Sequence, residues 1–209
     1  MEKYPKEVVL KDGSRLALRL MQKNDLERLH AFFRALPQED RLYLKDDVTD
    51  RSVLKRWTSH IDPEHILAVL ALRDGHVVGD ATLHVEQLGW TKHVGEIRCV
   101  VAREYQNKGL GTLLVHELVQ HAIHRKLKKV AVMMMDCQQE ANRTFERIGF
   151  RKEAVLPGYV VDIHGQEHGL VIMVSEPEDV WEKLQDLMLD MDFRGSRSRF
   201  PFDQSPSSP

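Results

Sequence analysis

The stretch Gln106-Asn107-Lys108-Gly109-Leu110-Gly111 has the residue types and spacing in this 209-residue chain that point most directly to chemistry. It follows the apolar run Ile97 to Ala102 and opens a long amphipathic stretch reaching about Leu127. A glycine-bearing turn between a strand and a helix N-terminus leaves several backbone N–H groups without partners. They converge on one point, where the helix dipole adds partial positive charge. Such a turn suits a phosphate or pyrophosphate. Gly109 and Gly111 lack Cβ atoms, so the backbone can approach an anion closely and adopt unusual dihedrals. Lys108, with Arg103 nearby, adds charge for a further phosphate. Two other phosphate motifs are excluded. The dinucleotide fingerprint requires a third glycine where Leu114 stands, and the nucleotidase loop requires Gly-Lys-Ser/Thr.

Other reactive residues are less suggestive. Cys99 alternates with Val100 inside a strand-like run and Cys137 follows another, so both read as buried, inert thiols. Two cysteines are too few for a disulfide framework. His116-Glu117-Leu118-Val119-Gln120-His121 has one residue too many for a His-Glu-x-x-His helix, so its histidines do not stack on adjacent turns. No metal site is expected, and a solvated helix face accounts for these histidines. His164 and His168 flank a turn and read as surface residues.

The elements that position the loop follow from periodicity. Glu7 to Leu10 and Leu16 to Leu20 form a hairpin turned at Asp12-Gly13. Asn24 or Asp25 caps a helix running to about Leu36, closed by Pro37, and a second helix runs from Asp50 to about His60. Both cover one side of a sheet. His65 to Leu72 and His76 to Val85 form a hairpin turned at Asp74-Gly75, and Val94 to Ala102 leads into the loop. The helix after the loop puts Leu114, Val115, Leu118, Val119, Ala122 and Ile123 on one face. His116, Glu117, Gln120, His121 and His124 share the other. Lys129 to Met135 reads as a strand covered on both faces. Gln139 to Ile148 is a helix ended by Gly149. Phe150 to Val155, Tyr159 to Ile163 and Gly169 to Val174 complete the sheet, with a turn at His164-Gly165. Val180 to Met191 is a further amphipathic helix, and the Ser-, Pro- and Arg-rich stretch from Arg194 to Pro209 is expected to be disordered. Helices between strands in the middle, flanked by hairpins, give a mixed α/β sheet.

Composition sets the class. Hydrophobic residues make up 42% and charged residues 30%, as in a globular protein able to bury its own core. A net charge of −2 argues against nucleic acid as a dedicated partner. No run has the length of a membrane span, and the charged start Met-Glu-Lys-Tyr-Pro-Lys lacks a signal peptide's apolar core. The cytoplasm is the expected compartment.

Gln-x-x-Gly-x-Gly is preceded by Gly-Glu-Ile-Arg-Cys-Val-Val-Ala and followed some forty residues later by Phe-Glu-Arg-Ile-Gly-Phe. Together these resemble the GNAT superfamily of acyl-CoA-dependent N-acetyltransferases, over roughly residues 6 to 175. The opening segment from Lys11 to Leu26 is similar to the GNAT modules of bacterial protein-lysine acetyltransferases. The resemblance implies an α/β (α+β) fold, with a mostly antiparallel central sheet carrying helices on both faces. A C-terminal helix (176–193) and the tail (194–209) follow it. It implies acetyl-CoA as co-substrate, held by Val100, Val101, Ala102, Gln106, Asn107, Lys108, Gly109, Leu110, Gly111, Thr112 and Gln138. The backbone of residues such as Val100 and Ala102 would be free to pair with the pantetheine arm, because the strand splays from its neighbour.

The implied reaction moves acetyl directly to a primary amine, of a protein lysine or a small molecule. A lysine-type amine has a pKa near 10.4, so at neutral pH a carboxylate must take its proton. Glu96 is the implied catalytic base, with Glu86 and Asp80 as rivals. Many family members place a tyrosine acid where Phe145 stands, and an asparagine where Gln138 stands. Phe145 cannot protonate the departing thiolate; Tyr159, Cys137 and His84 are the alternatives. A GNAT-fold acyl-CoA-binding regulatory protein without turnover is the other reading. The acceptor and the oligomeric state are open, a homodimer included.

Overall fold

The computed structural model describes residues 4–41 and 44–190. The tail from Arg194 and the end of the last helix at Met191 lie outside these residues. The strands are β1 (Lys6–Val9), β2 (Arg15–Leu20), β3 (Ile66–Arg73), β4 (His76–Val85), β5 (Val94–Val101), β6 (Lys129–Met135), β7 (Arg151–Val161) and β8 (Glu167–Ser175). They form one sheet in the order β1-β2-β3-β4-β5-β6-β8-β7. Every neighbouring pair is antiparallel except β5 and β6. The mixed, mostly antiparallel sheet expected from the sequence is therefore present. Asp74 and Gly75 both take positive φ (50° and 80°), the pair that a two-residue hairpin with right-twisted strands requires.

The helices are α1 (Leu26–Ala35), α2 (Gln38–Arg41), α3 (Arg51–Ser59), α4 (Leu110–His124), α5 (Gln139–Arg147) and α6 (Pro177–Asp190). Leu29, Phe32 and Phe33 of α1 and Leu54 of α3 pack with Leu70, Leu72 and Val77 on one side of the sheet. Leu110, Leu114, Leu118 and Val119 of α4 meet Ile97, Val130, Val132 and Met173 on the other, joined by Ile148, Val180 and Leu184. Helices thus cover both faces. Asp25 does not use its side chain to cap α1. It is fully buried and receives two hydrogen bonds from Arg19, at 2.6 and 2.7 Å, and one from the Gln22 N–H. Among the described residues no helix is long and apolar enough to cross a membrane.

Three expectations are corrected. The polar face of α4 is mostly covered rather than solvated, only His124 of the five being exposed. His116 stacks on Trp181 of α6 with ring centroids 4.3 Å apart. Buried Glu117 accepts from Lys6 Nζ at 2.6 Å and from the Tyr4 hydroxyl at 2.9 Å. His121 stacks on Tyr4, and burial lowers its pKa to about 4. Second, Phe150–Val155 and Tyr159–Ile163 are not separate strands: β7 runs through Pro157 and Gly158 with a register irregularity between Leu156 and Val160. Third, β6 is not covered throughout, since Met133 is 38% exposed on the α1–α3 side.

Leu184 is fully buried, so α6 belongs to the main core. Leu184→Ala is expected to cost about 3 kcal/mol and to lower the midpoint of a single urea transition. An unmoved midpoint would mean that α6 is an appendage.

Candidate active site

β5 and β6 hold together over only three residue pairs, Val94 with Lys129, Gly95 with Val130, and Glu96 with Ala131. Beyond these they diverge, although β5 continues to Val101 and β6 to Met135. A wedge-shaped gap results, with its vertex at Glu96 and its mouth at the Gln106–Gly111 loop. Which backbone groups face the gap follows from the ladder on the far side of β5. Ala102 N–H donates to Val78 O at 3.0 Å, and hydrogen-bonded pairs alternate in an antiparallel ladder. Val100 opposite Asp80 is then bonded to β4, whereas Ile97, Cys99 and Val101 turn their N–H and C=O groups into the gap. The backbone groups of Val100 and Ala102 are therefore not the free ones. The Val100 side chain also packs against the α1–α3 core.

The loop turns into α4 through two residues with positive φ, Asn107 (59°) and Gly109 (93°), and Gly109 is the N-cap. The first N–H groups of α4 have no carbonyl one turn back and face the gap's mouth. A cleft of ≈320 Å³ opens there, lined by Val101, Gln106, Asn107, Gly109, Gly111 and Thr112, and opposite them by Thr144, Phe145 and Arg147 of α5. The Gln106 side chain donates to Val101 O at 3.0 Å, tying the loop to the end of β5. A Cβ added at Gly111 would meet only Val101 Cγ2, at 3.9 Å. The protein's own packing does not demand glycine there, so the space is left for whatever occupies the cleft.

Charge is arranged differently from expectation. Lys108 Nζ pairs with Asp12 at 2.7 Å, and Arg103 is held by Glu39 and Asp40 at 2.9 Å, so both point to carboxylates. Asp12 is pulled well below the usual carboxylate range by its hydrogen bond from Lys108. The cations lining the cleft are instead Lys11 and Arg147. Lys11 arrives because its N–H donates to Lys108 O at 3.2 Å, which binds the β1–β2 turn to the loop. No local spacing signals that contact. Leu110 is fully buried in the core and can offer the cleft only its backbone. Gln138 folds back to accept Met135 N–H at 2.9 Å and does not line the cleft.

At the vertex Glu96 accepts from Lys45 Nζ at 2.5 Å and from Arg98 Nε at 2.9 Å. Burial pushes its carboxyl up, but the Arg98 and Lys45 hydrogen bonds outweigh this and hold the pKa below the ordinary value. Asp80, on the same face of the sheet one strand away, is 8% exposed, and burial raises its pKa to about 7. His84, opposite Glu96, shares a 2.9 Å hydrogen bond with Thr82; burial lowers its pKa to about 4, leaving it neutral at pH 7.

The side chain at the expected acid position, Phe145, lies in the cleft wall with its ring edge-on to Phe150, centroids 5.3 Å apart. Cys99 lines the cleft, but burial pushes its thiol up to about 12. Cys137 is exposed, not buried, and Tyr159 is 66% exposed.

A family model described as acetyltransferase (GNAT) family matches residues 26–150. Among solved structures, the GNAT domain of S. lividans PAT is 17% identical with a TM-score of 0.70, the alignment covering 84% of this chain and 99% of that one. yncA from Salmonella typhimurium, solved with its cofactor acetyl-CoA, is 18% identical with a TM-score of 0.66, covering 78% and 95%. A chimera of the Vibrio cholerae spermidine N-acetyltransferase SpeG with hSSAT is 19% identical with a TM-score of 0.66, covering 80% and 98%. The structural likenesses share the fold, and the family match spans more than half of the chain around a gap that ends in a glycine loop. This chain belongs to the GNAT acetyltransferase family.

Proposed function

We propose that the protein transfers acetyl from acetyl-CoA directly to a primary amine, of a protein lysine or a small molecule, in the cytoplasm. The observation that carries this reading is the gap between β5 and β6, which runs from a carboxylate at its vertex to an anion-binding loop at its mouth. The residues present fit a CoA thioester. The α4 N-terminus, with Gln106, Asn107, Gly109, Gly111 and Thr112, suits the pyrophosphate; Lys11 and Arg147 offer cations beside it. The backbone groups of Cys99 and the N–H of Val101, a residue whose carbonyl is taken by Gln106, suit the amides of an extended arm, and Ile97 lies towards the vertex. Acetyl-CoA supplies the activated acyl group.

In the reaction the amine nitrogen forms a bond to the acyl carbon, the C–S bond breaks, and the electron pair leaves on sulfur. The amine's proton goes to a carboxylate, directly or through water. Glu96 is our assignment for that carboxylate. Its pairing with Lys45 and Arg98 keeps it ionised and aimed, at the expense of basicity. Asp80 is the second reading, favoured by a pKa near the operating pH. No tyrosine stands at Phe145, so the sulfur leaves as thiolate, which a thiol's ordinary pKa near 8.5 permits.

The acceptor is a primary amine; spermidine is the substrate named for one neighbour. A regulator that binds acyl-CoA without turnover is a second function, supported by Phe145 in the cleft wall. Thiol release from acetyl-CoA in the presence of amine panels separates the two. An enzyme releases CoA in proportion to acetylated amine, and a regulator releases none while CoA still raises its Tm.

Gly111→Val is expected to leave the Tm within a few degrees of wild type and to weaken CoA binding by tenfold or more in calorimetry, because its methyls fill the cleft. Unchanged affinity would remove the loop from the binding site. Glu96→Gln is expected to lower kcat about 100-fold or more, with little change in the KM for acetyl-CoA. The pH profile identifies the base. Glu96 titrates below the ordinary carboxylate value, so it produces no acid limb near neutrality. Asp80 is neutral below about pH 7 and charged above it, so as base it would make kcat/KM rise through pH 7. An acid limb near 7 that Asp80→Asn abolishes, with full turnover in Glu96→Gln, would reassign the role to Asp80.

A further inference from the structure

The end of β6 carries Asp136-Cys137, and the neighbouring strand β8 begins with Glu167-His168-Gly169. The ladder between them puts Met135 opposite Leu170, and Asp136 N–H donates to Gly169 O at 2.9 Å. These backbones are therefore fixed relative to each other. One ligand atom from each of Asp136, Cys137 and His168 lies within 4.8 Å of the others. A tetrahedral ion with ligands at about 2.0–2.3 Å needs donors roughly 3.3–3.8 Å apart, a spacing reached by small side-chain rotations. We propose that Asp136, Cys137 and His168 bind a thiophilic divalent cation of the zinc class, with the fourth position open to solvent.

The surroundings orient two of the three donors, His168 and Asp136, as such a site requires. His168 Nε2 lies 3.2 Å from Asp162 Oδ2. Asp162 is itself immobilised, because its Oδ1 accepts from the N–H groups of His164 at 2.8 Å and Gln166 at 3.0 Å. With Nε2–H donated to Asp162, the imidazole presents the lone pair of Nδ1 towards Asp136 Oδ1, 3.9 Å away. That distance is too long for a hydrogen bond, and a cation between the two atoms would pair with both. The carboxylate–histidine–metal relay that follows is the usual outer-shell arrangement of a metal-binding histidine.

Asp136 is aimed in the same way. Its Oδ2 accepts Gly169 N–H at 3.0 Å, leaving Oδ1 for the ion. A Cβ on residue 169 would stand 2.6 Å from that Oδ2, so only glycine lets the carboxylate occupy this position. One oxygen, one nitrogen and one sulfur donor form a set that suits zinc, and disfavours magnesium and calcium, which prefer oxygen alone. Asp136 and Cys137 are exposed and His168 is 13% exposed, so the ion has a path in from solvent.

Titration of the untagged, chelator-treated full-length chain with Co²⁺ tests the site. A 1:1 complex with a thiolate-to-cobalt charge-transfer band and tetrahedral visible absorption is expected, and Zn²⁺ should displace it. Cys137→Ser should abolish the charge-transfer band, and His168→Gln should weaken binding 100-fold or more. Asp162→Asn, which touches no metal, should weaken it 10- to 100-fold. Circular dichroism of the metal-free variants shows that they fold. Absence of the thiolate band in the wild type overturns the proposal. So does equal affinity in Cys137→Ser and His168→Gln, which would assign binding to other histidines among the 11 in the chain.

Discussion

The parting of β5 from β6 after Glu96 and Ala131 is the constraint on which the rest of the molecule depends. Backbone N–H and C=O groups buried away from water must find partners, so a sheet opened in its middle carries an obligation that only a ligand or solvent can meet. The loop at the mouth continues the same logic. Unpartnered N–H groups at the start of α4 add to those left by the gap, and their dipoles point one way. An extended molecule with an anionic end and amides along its length satisfies both sets at once. In the proposed function, the acyltransferase chemistry is thus rooted in a defect of strand pairing rather than in a cluster of reactive side chains.

The sheet could not tolerate that defect without reinforcement around it. α4 is buried on nearly every side, by the sheet below and by α6 and the N-terminal segment above. Trp181 on His116, and Tyr4 and Lys6 on Glu117, hold the helix whose N-terminus forms the loop. The β1–β2 turn adds the Lys11–Lys108 backbone bond and the Asp12–Lys108 ion pair from the other side. Burial of polar groups on this scale is tolerated because each is paired, and paired groups specify a single docking geometry for α4.

Electrostatics divides the two faces of the sheet. On the α1–α3 face lie Asp80, His84, Glu96 and Arg98, an arrangement in which burial and pairing drive two carboxyl groups apart in acidity. One is kept charged by Lys45 and Arg98, and the other is kept near neutrality by burial. On the cleft face, burial raises the Cys99 thiol so far that it stays protonated and chemically quiet in the cleft wall. The exposed Cys137, at the far end of β6, has a different environment and is grouped with Asp136 and His168.

Much of this was legible in the sequence. Most of the element order, the hairpin at Asp74-Gly75, the helix after the loop and the family resemblance rest on short-range periodicity and on glycines at a strand–helix junction, although α2 is not signalled and β7 reads as two strands. Those signals are local, and local sterics decide them. The tertiary structure decided what lies between elements. Periodicity divided α4 into an apolar and a polar face, but only the arrival of α6 and Tyr4 shows most of the polar face covered. Spacing placed Lys108 and Arg103 at the loop, but carboxylates from the β1–β2 turn and α2 claim them, and Lys11 and Arg147 line the cleft instead. The free backbone groups moved from Val100 and Ala102 to Cys99 and the N–H of Val101, because hydrogen-bond parity depends on the register with β4. Register, ion pairing and burial are properties of pairs distant in the chain, and a single sequence records each partner without recording that they meet.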